Sequence, residues 1–188
     1  QAAKLLSSAK FPVILSGAGV VLGNAIPECV ALAERLDAPV CSNYQHNDSF
    51  PGSHPLAVGP LGYNGSKAAM ELIAKADVVL ALGTRLNPFS TLPGYGIDYW
   101  PKEAKVIQVD INPDRIGLTK PVAVGIVGDA KQVARQILAK LSANAGNAGR
   151  EARKALIHQT KSAWQQALSG MDHEDDDPGT TWNERARK

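Results

Sequence analysis

Cysteine is nearly absent: Cys29 and Cys41 are the only two in 188 residues. They show no Cys-x-x-Cys spacing and fall in a helical and an extended segment. That excludes a disulfide framework and reads as two buried, reduced thiols of a cytoplasmic protein. The four histidines, His46, His54, His158 and His173, recur at no metal-ligand spacing, so no metal site is expected within the chain. An excess of either charge is also lacking. Twenty basic residues face eighteen acidic ones, and a formal net charge of +2 is too small for a nucleic-acid or membrane surface. No apolar run approaches the ~20 residues that a membrane helix needs. Gln1 to Lys10 reads as a polar helix start without the apolar segment of a signal peptide. What is present, 44% hydrophobic and 20% charged residues, is the composition of an ordinary globular domain with room for an appendage. The chain opens on Gln1 rather than methionine and is expected to be a piece of something longer.

Apolar, β-rich runs alternate with segments of helical period. Helices are predicted over Ala2–Ala9, from Asn24 or Ala25 to Leu36, over Ser66–Lys75 with Ser66 as its cap, and to Leu141 behind the cap Asp129. The inward faces are read as Ile26, Val30, Ala33 and Leu36, then Ala69, Met70, Leu72 and Ile73, then Val133, Ile137, Leu138 and Leu141. Strands are predicted at Val13–Ser16, Val40–Asn43, Asp77–Leu82, Val106–Asp110 and Val122–Val127, with a weaker sixth at Leu56–Val58. Alternation of this kind, with strands apolar on both faces, predicts an α/β domain: a three-layer, Rossmann-like fold with a six-stranded parallel sheet and helices on both faces. Residues 1–143 form that domain. Residues 144–188 read as a further helix, Glu151–Leu168, and a charged linker or tail, "MDHEDDDPGTTWNERARK", without an apolar face.

The stretch "PVILSGAGVVLGN" (12–24) passes from strand to glycines to an amphipathic segment. Gly17, Gly19 and Gly23 are one residue off the dinucleotide fingerprint, and two readings stay open: a nucleotide turn, or glycines that serve only a tight strand-to-helix connection. A nicotinamide site expects an acid ending the second strand, where this chain reads "VCSNYQHN" with none before Asp48; a phosphate loop expects Gly-Lys-Ser/Thr, which does not follow. The other predicted strand ends are also polar: Gly83-Thr84-Arg85, Asp110-Ile111-Asn112 and Gly128-Asp129-Ala130. Parallel sheets bind ligands at these carboxyl ends. Arg85 could face a phosphate and Asp110 accept from a hydroxyl or amine, so the four ends together suit an extended nucleotide.

From Leu32 to Leu138 the chain resembles the central domain of thiamine-diphosphate-dependent enzymes of the acetolactate synthase and pyruvate oxidase group. The likeness rests on "LAERLDAPV", "FPGSHPLAVGPLGYNGSKAA", "ADVVLALGTRL", "AKVIQVDINPDRIG" and "GIVGDAKQVARQIL", in that order. The stretch "LPGYGIDYWPKEAKVIQVDINPDRIGLTKPV" and the acidic tail carry a finer likeness, to the sulfoacetaldehyde acetyltransferase branch. That branch converts sulfoacetaldehyde and phosphate to acetyl phosphate and sulfite with thiamine diphosphate and Mg²⁺. The resemblance implies a fold like the NAD/FAD-binding (DHS-like) domains, no catalytic residues in this chain, and flanking pyrimidine- and diphosphate-binding domains as its partners. It further implies a cytoplasmic homodimer or homotetramer. The family's Gly-Asp-Gly segment does not occur here.

In flavin-containing relatives the central domain holds FAD. Matched one position at a time, the resemblance places nucleotide contacts at Gly17, Ala18 and Gly19, at Asn43 and Tyr44, and at Leu61, Gly62, Tyr63 and Asn64. It adds Gly83, Thr84 and Arg85, with Asp110, Ile111, Gly128, Asp129 and Ala130 at the adenosine end. Where acetolactate synthases read Gly-x-Arg-Phe-Asp-Asp-Arg, this chain has Gly83-Thr84-Arg85-Leu86-Asn87-Pro88-Phe89, and Arg115 stands where a smaller residue is common. These departures favour an ADP-like or vacant site over FAD. Two other classes compete. A stand-alone nicotinamide oxidoreductase lacks its second-strand acid, and a deacetylase of related fold lacks its zinc module and catalytic histidine.

Overall fold

The computed structural model describes residues 1–170; the acidic segment read as a tail lies outside the described residues. Six strands form one all-parallel sheet: β1 (Pro12–Ser16), β2 (Val40–Ser42), β3 (Ala57–Pro60), β4 (Val78–Leu82), β5 (Lys105–Asp110) and β6 (Val124–Val127). Their order is β3-β2-β1-β4-β5-β6. The three-layer α/β fold expected from the sequence is the fold observed. β1 and β4 are buried along their whole length, which is why "PVILS" and "VVLAL" are apolar at every position or nearly so. β6, at the edge, alternates half-buried and exposed residues. β3 is short and only partly buried, which explains its weak apolar signal.

Six helices cover the sheet: α1 (Ala2–Ser8), α2 (Ala18–Leu22), α3 (Ile26–Leu36), α4 (Lys67–Ile73), α5 (Ala130–Lys140) and α6 (Arg150–Ser169). α1, α3 and α5 pack together, and α4 packs against α6. Right-handed crossovers put α3, which joins β1 to its neighbour β2, and α4, which joins β3 to β4, on opposite faces. Among the described residues no helix is long and apolar enough to cross a membrane.

Two helical readings are corrected. The segment after β1 is two helices: α2 is a short turn that ends at Gly23, and Asn24 takes a positive φ of 49° before α3 begins. The buried face of α3 is Cys29, Leu32, Ala33 and Leu36, with Ile26 and Val30 half-buried at its border. The helix is rolled by its neighbour α5, whose Arg135 pairs with Glu28 at 2.9 Å and draws that acid into the interface. On α5 the face is Ala130, Val133, Ala134 and Ile137, and Leu138 and Leu141 are half-buried. Ser66 and Asp129 cap their helices as expected, accepting from Ala69 N–H and Gln132 N–H.

Packing does not stop at residue 143. Ala145 and Ile157 are buried, and α6 lies along α4. Arg153 holds it there. Its guanidinium is 1% exposed and donates to five main-chain carbonyls: Leu36, Asp37, Lys10, Gly146 and Ala148. Asp37, in a left-handed conformation at the end of α3, adds ion pairs with Arg150 and Lys154. Five donors meeting five otherwise orphaned carbonyls suit the guanidinium fork and nothing else in the side-chain repertoire. Lys161 adds a bond of 2.8 Å to the Pro55 carbonyl, and burial pulls its pKa down. Replacing Arg153 by Ala leaves these carbonyls buried without donors, so Arg153→Ala should lower stability by about 3–5 kcal/mol. Arg153→Lys should recover less than half. Urea-denaturation midpoints of the three proteins provide the check.

Candidate functional site

In a parallel sheet a crevice opens where strands connect away from each other in opposite directions, and here that point is between β1 and β4. The glycine turn after β1 and the one after β4 meet there. Gly19 N–H donates to the Gly83 carbonyl at 2.8 Å, and a Cβ on Gly19 would lie 2.7 Å from Gly83 Cα. Gly83 has a φ of +60°, and its own Cβ would strike the Gly19 and Val20 main chain. Glycine is needed at both places because backbone packs on backbone. A cleft of about 560 Å³ lies over this contact, within the range of small-molecule sites.

The cleft is lined from the carboxyl ends of five strands. Ala18 and Gly19 come from the β1 turn, Asn43 from β2, Gly83, Thr84 and Arg85 from β4, Asp110 and Ile111 from β5, and Gly128, Asp129 and Ala130 from β6. These are expected positions that the fold gathers in one place. Six others lie elsewhere. Gly17 sits beneath the cleft, where a Cβ would come within 2.7 Å of Thr84 and Asn43. Tyr44 stacks on Phe89 with ring centroids 6.4 Å apart. Leu61 and Gly62 are buried, and Tyr63 and Asn64 are exposed beyond β3. β3 is the edge strand, two strands from the order reversal, so its loop does not reach the cleft.

Gly23 of the glycine turn, Asn112 of the β5 strand end, and Asn87 and Arg115, two of the departures from the acetolactate synthase pattern, also line the cleft; Leu22, Gln45, His46 and Ser90, not singled out from the sequence as site residues, complete it. Asn112 and Arg115 both come from the loop that follows Asp110 at the end of β5. Gln108, buried inside β5, organises this side. Its Nε2 donates to the carbonyls of Thr84 (3.2 Å) and Arg115 (3.0 Å), and its Oε1 accepts from Gly117 N–H. It ties the β4 and β5 loops into one wall. Nothing in the strand pattern marks it, since an alternating apolar strand would bury an aliphatic residue there as readily.

The cleft carries balanced charge. Arg85 and Arg115 face Asp110 and Asp129, and among the described residues none of the four is in an ion pair. Asp110 accepts from Asn112 N–H at 2.9 Å and Asp129 from Gln132 N–H at 3.0 Å, so each keeps a second oxygen for a ligand donor. Asn43 is 7% exposed; its Nδ2 donates to Thr84 Oγ1 at 2.8 Å, whereas its buried Oδ1 has no partner. An unpartnered buried carbonyl costs about 1–3 kcal/mol, and a ligand donor in the cleft would recover it. The two thiols take no part. Burial holds Cys29 at a pKa of about 12, and pushes that of Cys41 up as well. No three of the described His, Cys, Asp and Glu side chains come together as a metal site would need.

Comparison with known proteins places this architecture. Residues 1–137 match the family described as thiamine pyrophosphate enzyme, central domain. The chain belongs to that family. It is 80% identical over 187 residues to a sulfoacetaldehyde acetyltransferase of Roseovarius nubinhibens, which covers 100% of this chain and 31% of that protein. A probable sulfoacetaldehyde acetyltransferase of Rhizobium meliloti is 79% identical over 188 residues, 100% of this chain and 32% of that protein. A probable acetolactate synthase large subunit of Methanocaldococcus jannaschii is 43% identical over 143 residues, 76% of this chain and 24% of that protein. The chain thus spans about a third of the length of these two sulfoacetaldehyde acetyltransferase relatives.

The contact between Gly19 and Gly83 makes the site sensitive to a single methyl group. Gly83→Ala adds left-handed strain of about 1–2 kcal/mol and overpacking of about 1–3 kcal/mol. A loss of roughly 2–5 kcal/mol in a urea titration is expected; an unchanged midpoint would mean the two turns can separate freely.

Proposed function

We propose that this chain is the central domain of a thiamine-diphosphate-dependent sulfoacetaldehyde acetyltransferase. The whole enzyme would turn sulfoacetaldehyde and phosphate into acetyl phosphate and sulfite. Across that reaction a carbon–sulfur bond breaks, the aldehyde carbon becomes the acyl carbon bonded to phosphate oxygen, and the sulfur leaves as sulfite. One observation carries this reading: likeness at about four-fifths identity runs through the entire chain, including the segment after the family's central domain, with proteins of that name. With three acetolactate synthases it is 43% or less and covers about three-quarters of the chain.

The residues of this chain do not fit thiamine diphosphate itself. They offer no metal cluster among the described positions and no Gly-Asp-Gly in the sequence, so the cofactor and its Mg²⁺ belong with other parts of a longer, cytoplasmic polypeptide. The chain's own part is to hold those parts in place, as one domain of a homodimer or homotetramer, and to bind a nucleotide in the cleft. ADP, or the ADP half of FAD, suits the groups present. Arg85 takes the diphosphate. Asp110 and Asp129 take ribose hydroxyls or the adenine amine, and Asn43 Oδ1 accepts from a further donor. Asp129 already accepts from Gln132 N–H at the start of α5, and its carboxylate turns that helix terminus away from phosphate.

Two measurements test this. The full-length polypeptide that carries this chain, supplied with thiamine diphosphate and Mg²⁺, should release sulfite from sulfoacetaldehyde and form acetyl phosphate, while residues 1–188 alone should release none. Acetolactate from pyruvate without sulfite would transfer the chain to the acetolactate synthases. In calorimetry, Arg85→Ala should weaken ADP binding by about tenfold or more, the size of one charge-assisted contact, with the fold intact because Arg85 is on an exposed loop. Equal affinities would remove Arg85 from the site, and binding to neither protein would leave the glycine turn a purely structural connection.

A further inference from the structure

The cleft has two unlike ends, and Arg85, on the loop after β4, stands between them. Toward β5 and β6 the lining holds Asp110 and Asp129, with Leu22 (84%) and Ile111 (74%) exposed at the rim. Leu22 belongs to this end because its neighbour Gly23 lies against Asp129, whose Oδ2 would be 2.9 Å from a Cβ there. Carboxylates that accept, beside apolar side chains with open faces, suit a purine and its ribose. Toward β2 the lining is Asn43, Gln45, His46 and Ser90, with neither a carboxylate nor a lysine or arginine. Ser90 is held at this end because its Oγ accepts from Tyr44 N–H. Here Asn43 Oδ1 is buried and unpartnered, while Nδ2 of the same amide is committed to Thr84 Oγ1. What this end lacks is a donor.

Free ADP does not supply that donor. With Arg85 on the diphosphate, the amine and hydroxyls of the adenosine lie on the Asp110 and Asp129 side, and an ionised terminal phosphate only accepts. A further phosphate would meet no fixed cation at the β2 end. We propose that the nucleotide this cleft takes is an ADP esterified at its terminal phosphate by a short, uncharged, hydroxyl-bearing group, the chemistry shared by ADP-ribose and dephospho-coenzyme A. This rests on the reading of the cleft as a nucleotide site. The hydroxyl donates to Asn43 Oδ1, and Gln45, His46 and Ser90 surround it with uncharged polar groups. The group is short because this end of the cleft is closed. Tyr44 stacks on Phe89 at 28° between ring planes, and the Phe89 carbonyl lies on Gly62. A Cβ on Gly62 would also come within 3.0 Å of Tyr44 Cδ2. The loops after β2, β3 and β4 thus shut against one another, and none of Tyr44, Gly62 and Phe89 lines the cleft. A flavin ring carried beyond the hydroxyls has no room, so FAD is the wrong member of this class.

The test is calorimetry on the full-length polypeptide with ADP, ADP-ribose, dephospho-coenzyme A, ATP and FAD. A hydrogen bond to an otherwise orphaned buried acceptor corresponds to about tenfold in affinity. ADP-ribose or dephospho-coenzyme A should therefore bind about tenfold or more tighter than ADP, and the tighter of the two names the source of the group. ATP and FAD should bind no tighter than ADP. In Asn43→Ala the advantage of the ester over ADP should disappear; the comparison of ligands on the unaltered protein stands whether or not that variant folds. ADP binding as tightly as both esters, or ATP or FAD matching the tighter one, overturns the proposal and leaves the nucleotide reading in place. An advantage that survives in Asn43→Ala overturns it too. Binding of none of the five removes the nucleotide site, and the proposal with it.

Discussion

The main-chain contact between Gly19 and Gly83 is the constraint on which the rest of this domain turns. β1 and β4 are neighbours with connections that leave in opposite directions, so the loops at their carboxyl ends diverge and open a crevice. For that crevice to have a floor, the first residues of both loops must come to backbone–backbone distance, and only side-chain-free positions allow it. Once the floor is set, Thr84 lies against Asn43, Gln108 reaches the Thr84 and Arg115 carbonyls, and the walls of the cleft follow.

A second fixed point lies at the opposite edge of the sheet. Arg153 gathers carbonyls from the entrance to β1, the end of α3 and the turns before α6, and so converts a polar segment into part of the packed domain. The consequence is directional. α6 starts at the amino edge and ends beside the loops of the carboxyl edge, where Trp164 packs against Tyr95. The cleft and the end of α6 are thereby brought to one end of the described domain.

Much of this was legible in the sequence, for reasons that differ by element. The central strands are buried on both faces, and continuous apolar runs such as "VVLAL" can be little else. The caps Ser66 and Asp129 act on residues three positions away, and such local rules survive folding. The inward face of α3 was misread because its apolar stripe is broad. Which side of a broad stripe faces the core is decided by the neighbouring helix, here through Arg135 and Glu28, and not by periodicity. The cleft was legible at the strand ends, since topology sends all of them to one edge. Leu61 to Asn64 came from likeness to relatives, and they sit at the end of an edge strand, away from the cleft.

The sequence by itself determined the alternation of strands and helices, the apolar core and the chemistry available at each strand end, because these depend on residues within a turn or two of each other. The tertiary structure alone decided the strand order, and with it which of those ends meet. It alone decided that Asn43 Oδ1 would be buried without a partner, that Gln108 would brace two loops, and that α6 would be docked rather than free. Arg153 bonds to Lys10, 143 residues earlier, and an arginine in a charged helix carries no local mark of five carbonyls waiting for it. Such contacts exist only after the sheet has brought distant segments together, and no window along the chain contains both partners.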